Sequence, residues 1–227
     1  MAYIAIIGDF IDSKKLKNRF EIQEKLRKTM NDINQTYKMH LASPFTITIG
    51  DEFQALLYPN QDIFQIIDLI RSELYPVHIR FGIGIGDIVT DINPEQSIGA
   101  DGPAYWNARS AIDLVHDKDD YGMTNIRVSL GQKENLQERM LNSLLANGEF
   151  IQAKWTDKQR AMLQQLLSTQ QYDESFDHQN LARDLRIEPS ALTKRLKASG
   201  LKVYLRGRKQ AGQVLYDWSC DNKEDTK

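Results

Sequence analysis

Two adjacent acids constrain the first half of this chain more than any other feature. In Phe45–Leu57 (FTITIGDEFQALL), Asp51 and Glu52 interrupt a run that otherwise alternates like a β-strand. Burying two carboxylates inside a sheet without partners is strongly unfavourable. The preceding glycine permits a tight turn. We therefore predict a hairpin of two strands whose turn lies at Gly50–Asp51.

The bulk properties are those of an ordinary globular protein. The chain has 227 residues, of which 41% are hydrophobic and 26% charged, enough for a medium domain and a small one. It has no apolar run of the roughly 18 residues that span a bilayer. Its first ten residues lack a basic segment, and its single cysteine, Cys220, cannot form an internal disulfide. We expect a cytoplasmic protein.

Apolar periodicity predicts alternating strands and helices before residue 150. The order β-α-β-β-α-β is typical of an α+β, ferredoxin-like domain, here with extra elements appended. We assign this domain to residues 1–150. The predicted segments are a strand at 3–8, a helix at 18–38, the hairpin, a helix at 61–74, a strand at 78–90, a helix at 103–117, a strand at 125–130 and a helix near 132–146.

Three alternate glycines mark the strand at 78–90, in the sequence FGIGIG. Their spacing is not that of a dinucleotide-binding fingerprint, and no helix opens directly behind them. Glycine inside a strand indicates that something packs closely against it. That neighbour is either a ligand or the backbone of a helix.

Asp9 ends the first strand, which in such a sheet lies beside the hairpin, so Asp9 and Asp51 can meet at one edge. Two close carboxylates repel each other unless a cation lies between them. Mg²⁺ is commonly held by one or two carboxylates together with substrate phosphates. Acids after a glycine are also common as plain turn residues. We predict a Mg²⁺ or Mn²⁺ site at Asp9 and Asp51.

A turn with hydroxyl and amino groups follows Asp9, close to a helix start. Backbone N–H groups in such a turn are suited to phosphate oxygens. We therefore predict a nucleotide or phosphate contact formed by Phe10, Ile11, Asp12, Ser13, Lys14, Lys15 and Gly50.

The last third of the chain is basic. Within 183–209 there are nine basic residues and two acids. A solvated helix face is one explanation, and an anionic partner is the one we favour. Residues 178–201 also have the layout of a helix-turn-helix, with Leu181, Ala182 and Leu185 facing inward.

A hairpin predicted at 202–218 would complete a winged helix-turn-helix domain over 151–218, with 219–227 a disordered tail. Double-stranded DNA is the expected partner, and a protein–protein module is the alternative. Because one such domain binds weakly, we expect a homodimer. The predicted DNA contacts are Ser190, Thr193, Lys194 and Lys197 on the second helix and Arg206, Arg208 and Lys209 on the wing.

Four ordered segments carry a family resemblance. IAIIGDFIDSK, FTITIGDEFQALL, IRFGIGIGDIVT and GADGPAYWNARSAIDLV resemble the pattern of class III nucleotidyl cyclase domains. GDEF is also similar to the signature of GGDEF diguanylate cyclases, with Ile49 in place of one glycine. The whole chain resembles the SatD family of bacterial proteins.

The cyclase resemblance implies that Asp9 and Asp51 are metal aspartates and that Arg109 stabilises developing phosphoryl charge, which makes it the catalytic residue if the protein is active. GADGPAY holds no counterpart of the cyclases' second base-selecting acid, unless Asp101 serves. Ile47 holds the position of the cyclases' base-selecting lysine. Tyr105 holds that of their asparagine, and Asn107 is displaced from it by two residues. Metal and phosphate binding are thus implied more directly than turnover.

We therefore expect a regulator in which a nucleotide- and metal-binding, cyclase-like domain controls a DNA-binding domain. An active nucleotidyl cyclase or related phosphoryl-transfer enzyme is the first alternative. An inert dimerisation scaffold that carries a DNA-binding domain is the second.

Overall fold

The computed structural model describes residues 2–117, 122–131 and 135–221, which form an α+β protein with one mixed sheet. Its strands are β1 (Tyr3–Phe10), β2 (Leu41–Ile47), β3 (Phe53–Leu57), β4 (Ile79–Gly86) and β5 (Ile126–Ser129). Its helices are α1 (Arg19–Thr36), α2 (Ile63–Leu74), α3 (Pro103–His116), α4 (Leu136–Ala153), α5 (Asp157–Ser168), α6 (His178–Asp184), α7 (Pro189–Ser199) and α8 (Leu201–Asp221). None of the described helices is both long and apolar enough to cross a bilayer.

The strands lie in the order β2-β3-β1-β4-β5. All neighbours are antiparallel except β4 and β5, which are parallel and joined through α3. The element order β-α-β-β-α-β is present over β1 to β4. The strand expected at 78–90 is shorter, because β4 ends at Gly86 and a loop follows.

The predicted hairpin is present as β2 and β3. Its turn contains Gly50 at φ 69°, a left-handed conformation that glycine adopts without strain. At the other end of the hairpin, the pairing of β2 with β3 shifts register on both sides of Ser43. The turn therefore places Asp51 and Glu52 beyond the ladder, at the edge where β1 also ends.

The two faces of the sheet are covered by different helices. Ile4, Ile6 and Phe10 of β1 lie in the larger core with residues of α1, α2 and α4. Ala5 and Ile7 point the other way and pack against α3. Because side chains alternate along a strand, Asp9 lies on the α3 face.

The glycines of β4 are explained by α3, so the neighbour is a helix backbone. A Cβ at Gly82 would collide with backbone atoms of Ala108 and Ile112, and one at Gly84 with backbone atoms of Ala104 and Ala108. The strand lacks side chains where α3 crosses it, and the helix consequently lies directly on the sheet.

The wing prediction is wrong, because residues 202–218 lie inside α8. This segment packs into two apolar clusters through residues buried at helical spacing, namely Tyr204, Leu205, Ala211 and Leu215. Gly207, which favoured a turn in the sequence, is accommodated in the helix. Its missing Cβ would lie 3.4 Å from Leu144.

The helix-turn-helix segment is present as α6 and α7, with Leu181, Ala182 and Leu192 buried. The proposed division at residue 150 stays a prediction, and α4 runs across it. Residues 219–221 of the predicted tail are the end of α8, and residues 222–227 lie outside the described part of the chain.

Buried charges join α2, α4 and α8. Arg71 of α2 donates through Nη2 to Glu149 Oε2 of α4 at 2.9 Å, and Arg208 of α8 donates to Glu149 Oε1 at 2.9 Å. The hydroxyl of Tyr204 donates to Asp68 Oδ1 at 2.7 Å. Glu149 is 4% exposed and Asp68 is 0% exposed.

Glu149 remains ionised because two guanidinium groups surround it. Burial alone would raise the pKa of Glu149, but Arg71 and Arg208 more than offset it and leave that pKa below its ordinary value. Asp68 also accepts hydrogen bonds from the hydroxyls of Tyr172 and Tyr204. Side chains from three helices are therefore fixed by two buried carboxylates.

We expect Glu149→Gln to lower the free energy of unfolding by about 3–5 kcal/mol, because it leaves Arg71 and Arg208 buried without their carboxylate. Urea denaturation followed by circular dichroism measures this. The matched control is Glu174→Gln, which removes an exposed partner of Arg206 and should have little effect. Equal losses in the two variants would contradict a dominant role for the buried network.

Candidate functional site

Three carboxylates approach one another where β1 ends beside the hairpin turn. Asp9 is half-buried and forms an ion pair with Arg80 of β4, with Oδ2 and Nη2 at 3.3 Å. Burial raises the pKa of Asp9, and the nearby carboxylates of Asp51 and Glu52 raise it further against the opposing effect of Arg80. The charge of Asp51 therefore acts on Asp9, and their joint binding of a cation stays a prediction.

Arg109 of α3 is held by Glu52. Its Nη1 and Nη2 donate to the two carboxylate oxygens at 2.8 and 2.9 Å. This hydrogen bonding lowers the pKa of Glu52, despite an opposing contribution from burial. Glu52 consequently links the hairpin turn to α3. It pairs with the guanidinium of Arg109, to which the cyclase resemblance gives a role in phosphoryl binding.

The predicted phosphate turn follows β1 as a single 3₁₀ turn over Ser13–Lys15. Asp12 before it has φ 55°, and its carboxylate forms an ion pair with Lys15 at 3.0 Å. The side chain of Phe10 is buried in the core, so only its backbone can face a ligand. Lys14 is exposed at the surface.

A groove of about 710 Å³ adjoins this acidic edge. Ile7 and Gln54 of the sheet form its floor, and Trp106 and Arg109 of α3 lie along one side. Ile7 precedes Asp9 by two residues on the same strand face, so the groove and the carboxylates are neighbours. The indole of Trp106 is 55% exposed, and its Nε1 donates to Asp101 at 2.7 Å.

The loop between β4 and α3 closes the rest of this face. Ser43 donates to the carbonyl of Asn93 at 2.6 Å, and the hydroxyls of Ser97 and Tyr105 lie 2.5 Å apart. Asn107 donates to the carbonyl of Ile85 at 2.8 Å. Tyr105 and Asn107, the residues at and near the expected asparagine position, are thus engaged in holding the fold.

The acidic edge fits a hard cation only if further oxygens complete its shell. Among the described residues no group of three or more His, Cys, Asp or Glu side chains can enclose a metal ion. Asp9 and Asp51 supply two carboxylates at most. This is the ligand set that Mg²⁺ uses when substrate phosphates provide the remaining oxygens.

The basic residues of the last third divide into two groups. Ser190, Thr193, Lys194 and Lys197 are exposed on α7. The three residues predicted for a wing lie on α8 and face protein groups. Arg208 is 2% exposed, so its predicted contact with DNA is wrong. Arg206 and Lys209 form ion pairs with Glu174 and Asp173.

Sequence reasoning missed two features of this site. Trp106 lies in the segment that carries the resemblance, but only its exposure beside the groove indicates a ligand contact. The pairing of Glu52 with Arg109 links residues 57 positions apart, and only the tertiary structure brings them together.

An α+β sheet protein with an acidic, arginine-flanked edge is the class that these features define. The chain belongs to the SatD family, whose family model matches residues 3–215. None of the curated proteins matches it. Among solved structures it is similar to one titled "Structure of a bacterial light-regulated adenylyl cyclase", at 17% identity and a TM-score of 0.42, over 68% of this chain and 81% of that one.

The two neighbouring acids should respond oppositely to neutralisation at pH 7. The pKa of Glu52 is lowered on folding, so its charge stabilises the protein above the unfolded pKa and this contribution is lost as pH falls. The pKa of Asp9 is raised, so its charge is a cost that disappears as pH falls. We expect Glu52→Gln to lower stability, by at most about 1 kcal/mol, and Asp9→Asn to raise it.

Urea denaturation at pH 7 and near pH 4 measures both effects. Each difference from the parent protein should shrink at the lower pH, where both carboxyls gain protons in the unfolded chain. A loss of stability in Asp9→Asn at pH 7 would show that the ion pair with Arg80 outweighs burial and repulsion.

Proposed function

We propose that this protein is a regulator that binds a nucleotide together with Mg²⁺ or Mn²⁺ and relays that state to DNA through α6 and α7. One observation carries the nucleotide half of the proposal. Asp9 is influenced by the charge of Asp51 and itself influences Arg109, and Arg109 lines a groove large enough for a nucleoside. We extend the proposal to a cytoplasmic homodimer with a cyclase-like fold.

The proposed cation site lies at the acidic edge of the sheet. Asp9 and Asp51 would hold it, and phosphate oxygens would complete its shell. A cation there removes the repulsion among Asp9, Asp51 and Glu52. The turn at Ser13–Lys15 lies directly after β1, where its exposed Lys14 supplies positive charge beside the same edge.

Phosphate binding would then compete with Glu52 for Arg109. The guanidinium presents a planar pair of donors that suits a phosphate as well as a carboxylate. The protein therefore presents its own carboxylate to this guanidinium. A nucleotide displaces Glu52 only if its phosphates also gain the cation.

The base would lie in the groove beside Trp106. The exposed indole can stack on a base. Gln54, whose Nε2 donates to the carbonyl of Ser97, can accept a hydrogen bond from the base edge through Oε1. Asp101, assigned from the cyclase resemblance, acts in this proposal through Trp106, whose indole N–H it accepts.

Turnover remains the alternative proposal. The positions of the cyclases' base-selecting lysine and asparagine are Ile47 and Tyr105 here. The side chain of Ile47 cannot hydrogen-bond to a base, and the hydroxyl of Tyr105 is already engaged with that of Ser97, so neither reproduces the polar contact expected at its position. This favours binding over catalysis, and it leaves Arg109 as the residue that would stabilise phosphoryl charge in an enzyme.

We expect a nucleotide to raise the unfolding temperature only when Mg²⁺ or Mn²⁺ is present. At 100 times its dissociation constant it should add about 2.7 kcal/mol of stability. Differential scanning fluorimetry over a panel of nucleotides, each with and without metal, measures this. Quenching of Trp106 fluorescence should accompany binding and be absent in Trp106→Phe.

Asp51→Asn is the critical variant, and Asp32→Asn, at an exposed position of α1, is its control for the same change of charge. The metal-dependent shift should disappear in the first and persist in the second. Unchanged nucleotide affinity in Asp51→Asn would refute the site. Mass spectrometry of the same mixtures detects any cyclic product and decides between binding and turnover.

The DNA half of the proposal rests on α7. Ser190, Thr193, Lys194 and Lys197 are exposed along one helix, and none of the ion pairs among the described residues involves either lysine. Pro189 begins this helix after the short turn from α6. That arrangement leaves α7 free to enter a major groove, with the lysines directed at phosphates.

We expect Lys194→Ala and Lys197→Ala each to weaken DNA binding and to reduce the slope of log affinity against log salt by about one. Fluorescence anisotropy with labelled duplex DNA measures both quantities. Lys209→Ala, in which the lost amino group is already paired with Asp173, should have a much smaller effect. Equal effects from all three would indicate general charge attraction rather than α7.

A further inference from the structure

A second cavity lies on the opposite side of the sheet from the groove, between α2, α4 and α5. It has a volume of about 110 Å³. Its charged groups are those of Asp68, Arg71, Glu149 and Arg160, and Trp155 and Leu163 form part of its apolar wall. Nothing in the proposed nucleotide or DNA function uses it.

Arg160 of α5 is the unusual member of this cavity. Its Nε is buried and has no hydrogen-bond partner, while Nη2 donates to the carbonyl of Gln152 at 3.2 Å. Its guanidinium lies over the ring of Tyr75 at 5.0 Å. None of the ion pairs among the described residues involves Arg160.

The acids that line the cavity already accept hydrogen bonds from other side chains. Glu149 accepts hydrogen bonds from Arg71 and Arg208, and Asp68 accepts them from two tyrosines. Arg71 is paired with Glu149, and Asp68 is paired with Arg208 from outside the cavity lining. Arg160 is therefore left beside the cavity without an ion-pair partner among the described residues.

We propose that this cavity binds a small carboxylate with a short apolar chain. The carboxylate would accept from Arg160, since a charge-assisted hydrogen bond to guanidinium is the strongest contact that the cavity offers. The chain would lie against Trp155, Leu163 and Val77. A cavity of 150 Å³ holds benzene, so about 110 Å³ limits the ligand to about two to four carbon atoms.

The position of the cavity gives such a ligand a structural consequence. Its walls come from α2, which packs on the sheet, and from α5, which belongs to the cluster around Trp155. A carboxylate bound to Arg160 would thus contact both groups of helices and favour their association.

The test is isothermal titration calorimetry with sodium butyrate, acetate and inorganic phosphate, at constant ionic strength in chloride. Calorimetry measures binding directly and does not depend on the stability of a variant. We expect saturable binding of butyrate, weaker binding of acetate, and no saturable binding of phosphate. Absence of saturable butyrate binding would overturn the proposal, as would phosphate binding as tight as that of butyrate.

Arg160→Met keeps much of the side-chain length but removes the guanidinium, and it should weaken butyrate binding at least about tenfold. Arg160→Lys retains the charge and should weaken it less. Lys158→Met, the same loss of charge at an exposed position of α5, should bind like the parent, and so should Arg109→Gln in the nucleotide site. Parent-like binding by Arg160→Met, or loss of binding in either control, would refute this site.

Discussion

The direct contact between α3 and β4 is the constraint on which the candidate nucleotide site depends. Gly82 and Gly84 remove the side chains that would separate the helix from the strand, and α3 therefore lies lower on the sheet than a side-chain layer would allow. At that depth Arg109 reaches Glu52 on the hairpin turn, and Trp106 lies beside the groove. Any residue with a Cβ at these glycines would raise the helix and separate the arginine from the acids.

On the opposite side of the sheet, the helices are joined by buried charged groups as well as by apolar packing. Glu149 and Asp68 are buried among arginines and tyrosines from several helices. Such groups contribute little net stability compared with hydrophobic residues, but they tolerate few alternative arrangements because an unpaired buried charge is expensive. The network thus specifies how α8 lies on α2 and α4. Residues of α8 also lie in both apolar clusters, so this helix joins them.

Much of the sheet could be predicted from the sequence because its signals are local. Alternation in FTITIG, the Gly50 turn and the strand-end position of Asp9 each depend on a few neighbouring residues. The end of the chain was predicted less well, because KVYLRGRKQAGQVLYDW holds both a strand-like start and a glycine that indicates a turn. The segment is helical because Tyr204 and Leu215 are buried against helices that are distant in the sequence. The neighbouring residues alone do not indicate those partners. The partners of Arg208 and Arg109 were hidden for the same reason.

The two borders of the sheet have a further consequence. β5 has only four residues, and β2 departs from regular pairing around Ser43 and contains Pro44, which has no N–H to donate. Short, irregular borders are poor templates for an added strand. Copies of this protein are therefore discouraged from joining their sheets into a continuous ladder, a route that leads to aggregation. An ordered pairing of two copies would instead use helical surfaces, such as the α3 side of the groove or α7.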